Sequence, residues 1–337
     1  MRILFSLFFV FSVFASEDPY VIVSIDGGGI RGVIPSVILD MMERDLNIQT
    51  AKVVDCLSGS STGGIIAVGL SVARDKGSNV PRHWAREIVD IYKREGQDIF
   101  SRPLLYRVKT LNGLFGPKYD VTKYKLLLSL LLGDTTLNEV VKDVCITSFD
   151  VIAHKEFLFE NFGTQDLKNC SLVDVVLSTS AAPTYFPSRI YQGKNLIDGG
   201  VLANNPAAWA YFEVVRKKEI TRPVYILSLG TGSYPDTPNT TMDAGLISSI
   251  GPLIDDMFDA DEEDVKETFK ALQLSGTVKY IRWQPKLQNA SQEELDNIDP
   301  ANIASLETIA ENYYRDHFHD ADFAELFTIL QQRAKEN

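Results

Sequence analysis

The run Tyr20-Val21-Ile22-Val23-Ser24-Ile25 shows no polar side, and this constrains the chain more than any other feature. It is apolar and mostly β-branched, and it stops at Asp26-Gly27-Gly28-Gly29. A half-exposed strand alternates polar and apolar residues, so a run without alternation has to be covered on both faces. Val144-Cys145-Ile146-Thr147-Ser148-Phe149 and Val224-Tyr225-Ile226-Leu227-Ser228-Leu229 have the same character, and Val53 to Leu57 reads as one more short strand. Between these runs lie helical spacings. Pro35 to Leu46 carries Ile38, Leu39, Met42 and Leu46, and Gly63 to Arg74 is a second apolar helix. This alternation predicts an α/β fold, with a mostly parallel or mixed sheet covered by helices on both faces in three layers. Leu126 to Leu132 is strongly apolar but short, and it predicts a buried helix rather than a membrane span. From Pro300 onward, Ile303, Leu306, Ile309 and Ala310, then Phe323, Leu326, Phe327 and Leu330, predict amphipathic C-terminal helices.

The first fifteen residues stand apart. Arg2 precedes an apolar stretch to Phe14, and Val13-Phe14-Ala15 supplies small or medium residues at the −3 and −1 positions of a cleavage site. Residues 1–15 are therefore expected to be a secretory signal peptide, placing the mature chain outside the cytoplasm. With no internal repeat and no long low-complexity linker, residues 16–337 are expected to form a single domain. There are 45 acidic and 33 basic residues, a net charge of −12. That balance argues against nucleic acid as a partner, because phosphate binding needs a cationic surface. The three cysteines, Cys56, Cys145 and Cys170, lack zinc-type spacing. Asp255 to Asp264 has seven acids in ten positions, without the glycine or ligand offsets of a calcium loop, and reads as a solvated helical face.

Three glycine-rich motifs can carry chemistry. Gly59-Ser60-Ser61-Thr62-Gly63-Gly64 follows a strand and opens a helix. A serine with a glycine two positions away on each side fits a nucleophile elbow, a turn too sharp for side chains at the flanking positions. Asp26-Gly27-Gly28-Gly29-Ile30-Arg31-Gly32 lies at another strand end, where bare backbone amides can cradle an oxyanion or a phosphate. It also matches the dinucleotide fingerprint through Gly27, Gly29 and Gly32, with Asp55 lying 23 residues beyond Gly32 as a candidate ribose acid. The third motif is Asp198-Gly199-Gly200, an acid after an apolar step. A Ser-His-Asp hydrolase would also need an imidazole. His317 and His319 have the required chain order, but they sit in a polar helical segment and read as surface histidines.

Together these motifs resemble the patatin-like phospholipases, or lipid acyl hydrolases, over about 21–207. Phe115 to Asp120, Ser180 to Pro187 and Ile226 to Gly232 add to the likeness. The resemblance implies a patatin-like three-layer sandwich and a Ser61–Asp198 dyad, in which Ser61 is the nucleophile and Asp198 accepts its proton. It implies an oxyanion hole in the loop Gly27, Gly28, Gly29, Ile30, Arg31 and Gly32. The elbow residues are Gly59, Ser60, Thr62 and Gly63, and the acid motif is completed by Gly199 and Gly200. Arg31 either anchors its loop or meets a substrate phosphate. Fatty acids would be released from phospholipids or related membrane lipids through an acyl-enzyme, with no metal and no cofactor. Two alternatives remain open at this point: an NAD-type oxidoreductase built on the glycine fingerprint, and an inactive storage or interaction protein on the same fold.

Overall fold

Tyr20–Ile25 forms the first strand, β1, and all six residues are buried. A computed structural model describes residues 18–99, 117–163, 167, 169–234 and 246–337. The expected signal peptide at 1–15 lies outside these residues. Seven further strands follow: β2 Cys56–Gly59, β3 Asp143–Asp150, β4 Lys155–Glu160, β5 Arg189–Tyr191, β6 Lys194–Asp198, β7 Val224–Leu229 and β8 Val278–Trp283. Their order in the sheet is β5-β6-β3-β2-β1-β7-β8, with β4 also on β3. The neighbours from β3 through β8 are parallel, whereas β4 and β6 run antiparallel to β3, and β5 runs antiparallel to β6.

The helices are α1 Val33–Leu46, α2 Thr50–Val53, α3 Thr62–Ser71, α4 Ala85–Ile99, α5 Val121–Leu132, α6 Leu172–Thr179, α7 Gly200–Ala203, α8 Ala207–Lys218, α9 Leu246–Gln273, α10 Pro300–His317 and α11 Ala321–Glu336. They divide over the two faces of the sheet. Val21, Val23 and Ile25 of β1 join a large core with α1, α3, α4, α6, α10 and α11. The alternate residues Tyr20 and Ile22 join a smaller core with α8 and α9. Period-two side chains on a doubly covered strand explain why β1 has no polar face. The result is the expected three-layer sandwich with a mostly parallel central sheet.

Register is what positions the site. β4 occupies one edge of β3 over Cys145 to Asp150. The other edge is shared: β2 pairs with it as far as Ile146, and β6 pairs with it from Ser148. Because β2 is parallel to β3 and β6 antiparallel, their C-terminal ends point at each other along that edge. Gly59 lies opposite Ile146 and Asp198 opposite Ser148, so the turn after β2 and the end of β6 meet near Thr147.

Two expectations are corrected. Val53 does not begin a strand; it ends α2, and β2 starts only at Cys56. The Glu43 carboxylate accepts from the Thr50 amide at 2.7 Å and from the Ala85 amide at 2.7 Å. This tertiary contact caps α2 and overrides the local β-propensity. Leu126 to Leu132 is helical as expected but only half buried. Leu128, Leu131 and Leu132 face the core, while Leu126 and Leu130 are 63% and 75% exposed.

Candidate active site

The turn between β2 and α3 is too tight for side chains on its flanks. A β-carbon at Gly59 would come within 2.1 Å of the Gly63 carbonyl oxygen, and one at Gly63 within 2.0 Å of the Ile25 carbonyl oxygen. Between them Ser61 has φ 51° and ψ −120°, in the left-handed half of backbone space that non-glycine residues avoid. Such strain persists only where surroundings hold it. Here the Ser61 amide donates to Thr179 Oγ1 at 3.0 Å, and that hydroxyl donates to the Thr147 carbonyl at 2.6 Å.

The constraint brings two residues far apart in the chain into contact. Ser61 Oγ donates to Asp198 Oδ2 at 2.6 Å, and the Gly200 amide donates to Asp198 Oδ1 at 2.8 Å. Burial pushes the Asp198 carboxyl up to about 7, although the bonds from Ser61 and Gly200 pull the other way. A carboxylate with such a value is a far better base near neutrality than one in water. Thr179 holds this segment too, since its carbonyl accepts from the Gly199 amide at 3.3 Å. Sequence reasoning missed Thr179; its signal was position, one residue before the Ser180 to Pro187 stretch.

The glycine loop sits on the same side. Gly28, Gly29, Ser61 and Asp198 all line one cavity. Of the amides in the loop, Gly27 donates to Asn204 O, Ile30 to Leu295 O and Arg31 to Gly28 O. Among the described residues, those of Gly28 and Gly29 have no acceptor. Of the amides of the Gly27 to Gly32 loop, those of Gly28 and Gly29 are thus available to a ligand oxygen in the cavity. Gly29 has φ +57°, and a β-carbon there would come within 2.2 Å of the Leu295 carbonyl oxygen, so the position tolerates only glycine. Gly32 lies against Thr62 and Tyr92 at the start of α1. Arg31 is buried, with its guanidinium directed to the carbonyls of Gly28 at 3.4 Å and Gly232 at 3.2 Å. It anchors the loop.

The rest of the cavity is apolar, with walls that include Ile65, Tyr92, Tyr124, Tyr185, Phe186 and Leu295. The hydroxyls of Tyr92 and Tyr124 are engaged with Thr62 and Ser180 respectively. What remains suits a hydrocarbon chain.

Beneath the loop, Asp26 is gripped by Arg282, with Nη1–Oδ1 at 3.0 Å and Nη2–Oδ2 at 2.6 Å. Arg282 Nη2 also lies 3.1 Å from Glu262 Oε2. Asp261 accepts from the Asn205 amide at 2.6 Å, and burial raises its carboxyl to about 7. Both belong to the acidic run, so that run is not simply a solvated face: Asp261 and Glu262 turn inward, while Glu263 and Asp264 are exposed.

Two other candidates fall elsewhere. Asp55 accepts from the Val21 amide at 2.8 Å, at the start of β1 and β2 and so at the far end of the sheet from the glycine loop. A ribose acid belongs at the strands' C-terminal ends, which removes the basis for the dinucleotide reading. His317 stacks on Tyr313 with ring centroids 3.9 Å apart at the end of α10. No histidine is among the described residues that line the cavity.

Comparison with known proteins shows the family of the chain. Patatin-like protein 2 of Arabidopsis thaliana is 36% identical over 246 residues, covering 63% of this chain and 60% of that protein. Patatin-like protein 2 of Oryza sativa subsp. indica is 32% identical over 337 residues, covering 86% of this chain and 82% of that protein. Human GIVD cytosolic phospholipase A2 is a distant structural neighbour, with a TM-score of 0.41 and 12% identity over 95% of this chain and 60% of that one. The sequence model of the patatin-like phospholipase family matches residues 23–211, more than half of the chain, and the chain belongs to that family.

Proposed function

We propose that the chain is a serine lipid acyl hydrolase acting through Ser61 and Asp198. The observation that carries this reading is the 2.6 Å bond between Ser61 and Asp198 on the wall of an apolar cavity that also exposes Gly28 and Gly29. The acyl chain of a membrane lipid lies among the apolar walls, with its ester carbonyl at Ser61. Ser61 Oγ attacks the carbonyl carbon as its proton passes to Asp198 Oδ2. The carbonyl electron pair moves onto oxygen, where the amides of Gly28 and Gly29 meet it. Collapse breaks the ester C–O bond, and the departing alcohol takes the proton from Asp198, leaving an acyl-enzyme. Water then attacks, gives its proton to Asp198, and expels the fatty acid as Ser61 Oγ recovers that proton. Export through the leader at 1–15 belongs to the same reading.

Turnover of a soluble nitrophenyl ester and labelling by a fluorophosphonate test it together. Ser61→Ala is expected to abolish both while changing stability by less than about 1 kcal/mol, since it removes only a partly exposed hydroxyl. Turnover above a few per cent of wild type in a clean preparation would place the nucleophile elsewhere, and normal folding without any turnover in the wild type would favour the inactive alternative.

A further inference from the structure

Three consecutive glycines create a difficulty for this site. No side chain resists rotation of the Gly27–Gly28 and Gly28–Gly29 peptide planes, yet both amides must face the cavity. A trans peptide is planar, with its carbonyl and the following N–H pointing opposite ways. Whatever holds the carbonyl of one glycine therefore aims the amide of the next. Arg31 holds the Gly28 carbonyl and so aims the Gly29 amide. The Gly27 carbonyl accepts from Thr231 Oγ1 at 2.7 Å.

We propose that Thr231 is a positioning residue for the reaction, its hydroxyl fixing the Gly27–Gly28 peptide so that the Gly28 amide meets the oxyanion. The inference rests on the reading of Ser61 and Gly28 given above. Thr231 is 3% exposed and follows β7, which is paired on both sides. Its neighbours are tied to the end of β8 and the residue after it: the Gly230 amide donates to Trp283 O at 2.8 Å and the Gly232 amide to Gln284 Oε1 at 2.8 Å. The hydroxyl thus projects from a paired strand end onto a loop whose glycines carry no side chain to fix their peptide planes. It lies so close that a β-carbon on Gly28 would come within 2.2 Å of it. Without the hydroxyl, the buried Gly27 carbonyl loses this partner, and rotating the peptide to find another turns the Gly28 amide away from the cavity.

The test uses Thr231→Val, Thr231→Ala and Thr231→Ser in the full chain, assayed on a soluble ester. Valine preserves shape without the hydroxyl, alanine removes both, and serine keeps the donor. Thr231→Val and Thr231→Ala are expected to lower kcat about 10- to 100-fold with KM within about twofold, and Thr231→Ser to stay within about threefold of wild type. Affinity for a long-chain trifluoromethyl ketone, which adds to Ser61 and places an oxyanion at the donors, should fall by the same factor as kcat/KM. Affinity for a long-chain alcohol, which needs only the apolar walls, should not change. A folded Thr231→Val enzyme with wild-type kcat overturns the inference. So does equal loss in the serine and valine variants, which would assign the effect to packing of the methyl group. Failure of both the valine and alanine variants to fold, beside a fully active serine variant, also overturns it, because the hydroxyl would then support the fold. Turnover that survives Ser61→Ala would instead sink the reading of the whole site, and this inference with it.

Discussion

The two ends of the parallel strands handle charge in opposite ways. At the N-terminal end carboxylates are met by cations. Asp55 accepts from Arg333 Nη1 at 2.9 Å, and Asp18 from Arg333 Nη2 at 2.6 Å, with Arg222 close to both. Asp143 accepts from the Tyr20 hydroxyl at 2.6 Å and pairs with Lys218. At the C-terminal end Asp198 is buried, and among the described residues its carboxylate has only a serine hydroxyl and one backbone amide as partners. Asp26 lies between these extremes, at the C-terminal end of β1 but held by Arg282. The difference shows where the molecule is braced and where it carries an unpaired carboxylate. Bracing neutralises a carboxylate, while a base has to remain available for a proton.

Removing the unpaired charge should give the largest effect. Asp198→Asn is expected to lower kcat by orders of magnitude, because an amide cannot accept the serine proton. It should also stabilise the protein at pH 8. Burial pushes the folded carboxyl up to about 7 from its ordinary 3.8. Below about pH 4 both folded and unfolded chains carry the proton, and the contribution to stability is complete. Between about 4 and 7 the unfolded chain ionises first, so stability falls as pH rises, and above about 7 it is flat. Asparagine lacks this slope. Thermal melts should show a gain of about 1–3 kcal/mol over wild type at pH 8 that shrinks toward pH 4. A variant less stable than wild type at pH 8 would mean that the buried charge is compensated.

The same carboxyl sets a pH profile. In wild type, kcat/KM for a soluble ester should rise with pH and reach half its plateau near 7, since only ionised Asp198 accepts the proton. A half-point near 4 would describe a solvated carboxylate and remove the contrast between the two strand ends.

The braced end should answer differently. Arg333→Met removes a cation with only 12% of its side chain exposed from two carboxylates. It should cost about 1–3 kcal/mol in chemical denaturation, because the partners lose their pairing in a partly dry setting. Its kcat should remain within about twofold of wild type. A loss of kcat at unchanged stability would show that the two ends are coupled through the sheet.

Much of this was legible in the sequence. β1 and β7 announce themselves by apolar runs without alternation, and each glycine motif marks a strand end. Ser61 and Asp198 could be named from their motifs, but not the path that joins them. Nothing local says that β6 runs backwards and shares an edge of β3 with β2, because pairing between distant strands is a property of the sheet. The inward turn of Asp261 and Glu262 was hidden for a similar reason: the partners Asn205, Arg282 and Gln284 lie elsewhere in the chain. Thr231 stands in the sequence only as part of the Ile226 to Gly232 stretch, and only the position of the Gly27 carbonyl gives its hydroxyl a task. Val53 was misread because β-propensity is weak against a buried carboxylate that caps the preceding turn.

The smallest effects are expected away from both ends. His317→Ala and His319→Ala should leave kcat within about twofold of wild type. His317 is occupied with the Tyr313 ring and carbonyl, and His319 is exposed. A large loss in either folded variant would favour a Ser-His-Asp triad over the dyad. EDTA should leave turnover of a soluble ester unchanged. Calcium needs several convergent oxygen ligands, and among the described residues no group of three or more His, Cys, Asp or Glu side chains could hold an ion. The acidic run would be the natural place to seek one, yet among its described residues the two inward carboxylates, Asp261 and Glu262, already serve the Asn205 amide and Arg282. Glu263 and Asp264 point outward from the same helix, so the described carboxylates of the run do not converge. A monomeric ester is the proper substrate, because calcium also reorganises lipid aggregates. Loss of turnover in EDTA, restored by calcium on that ester, would put a metal into the reaction and would end the assignment of oxyanion stabilisation to the Gly28 and Gly29 amides alone.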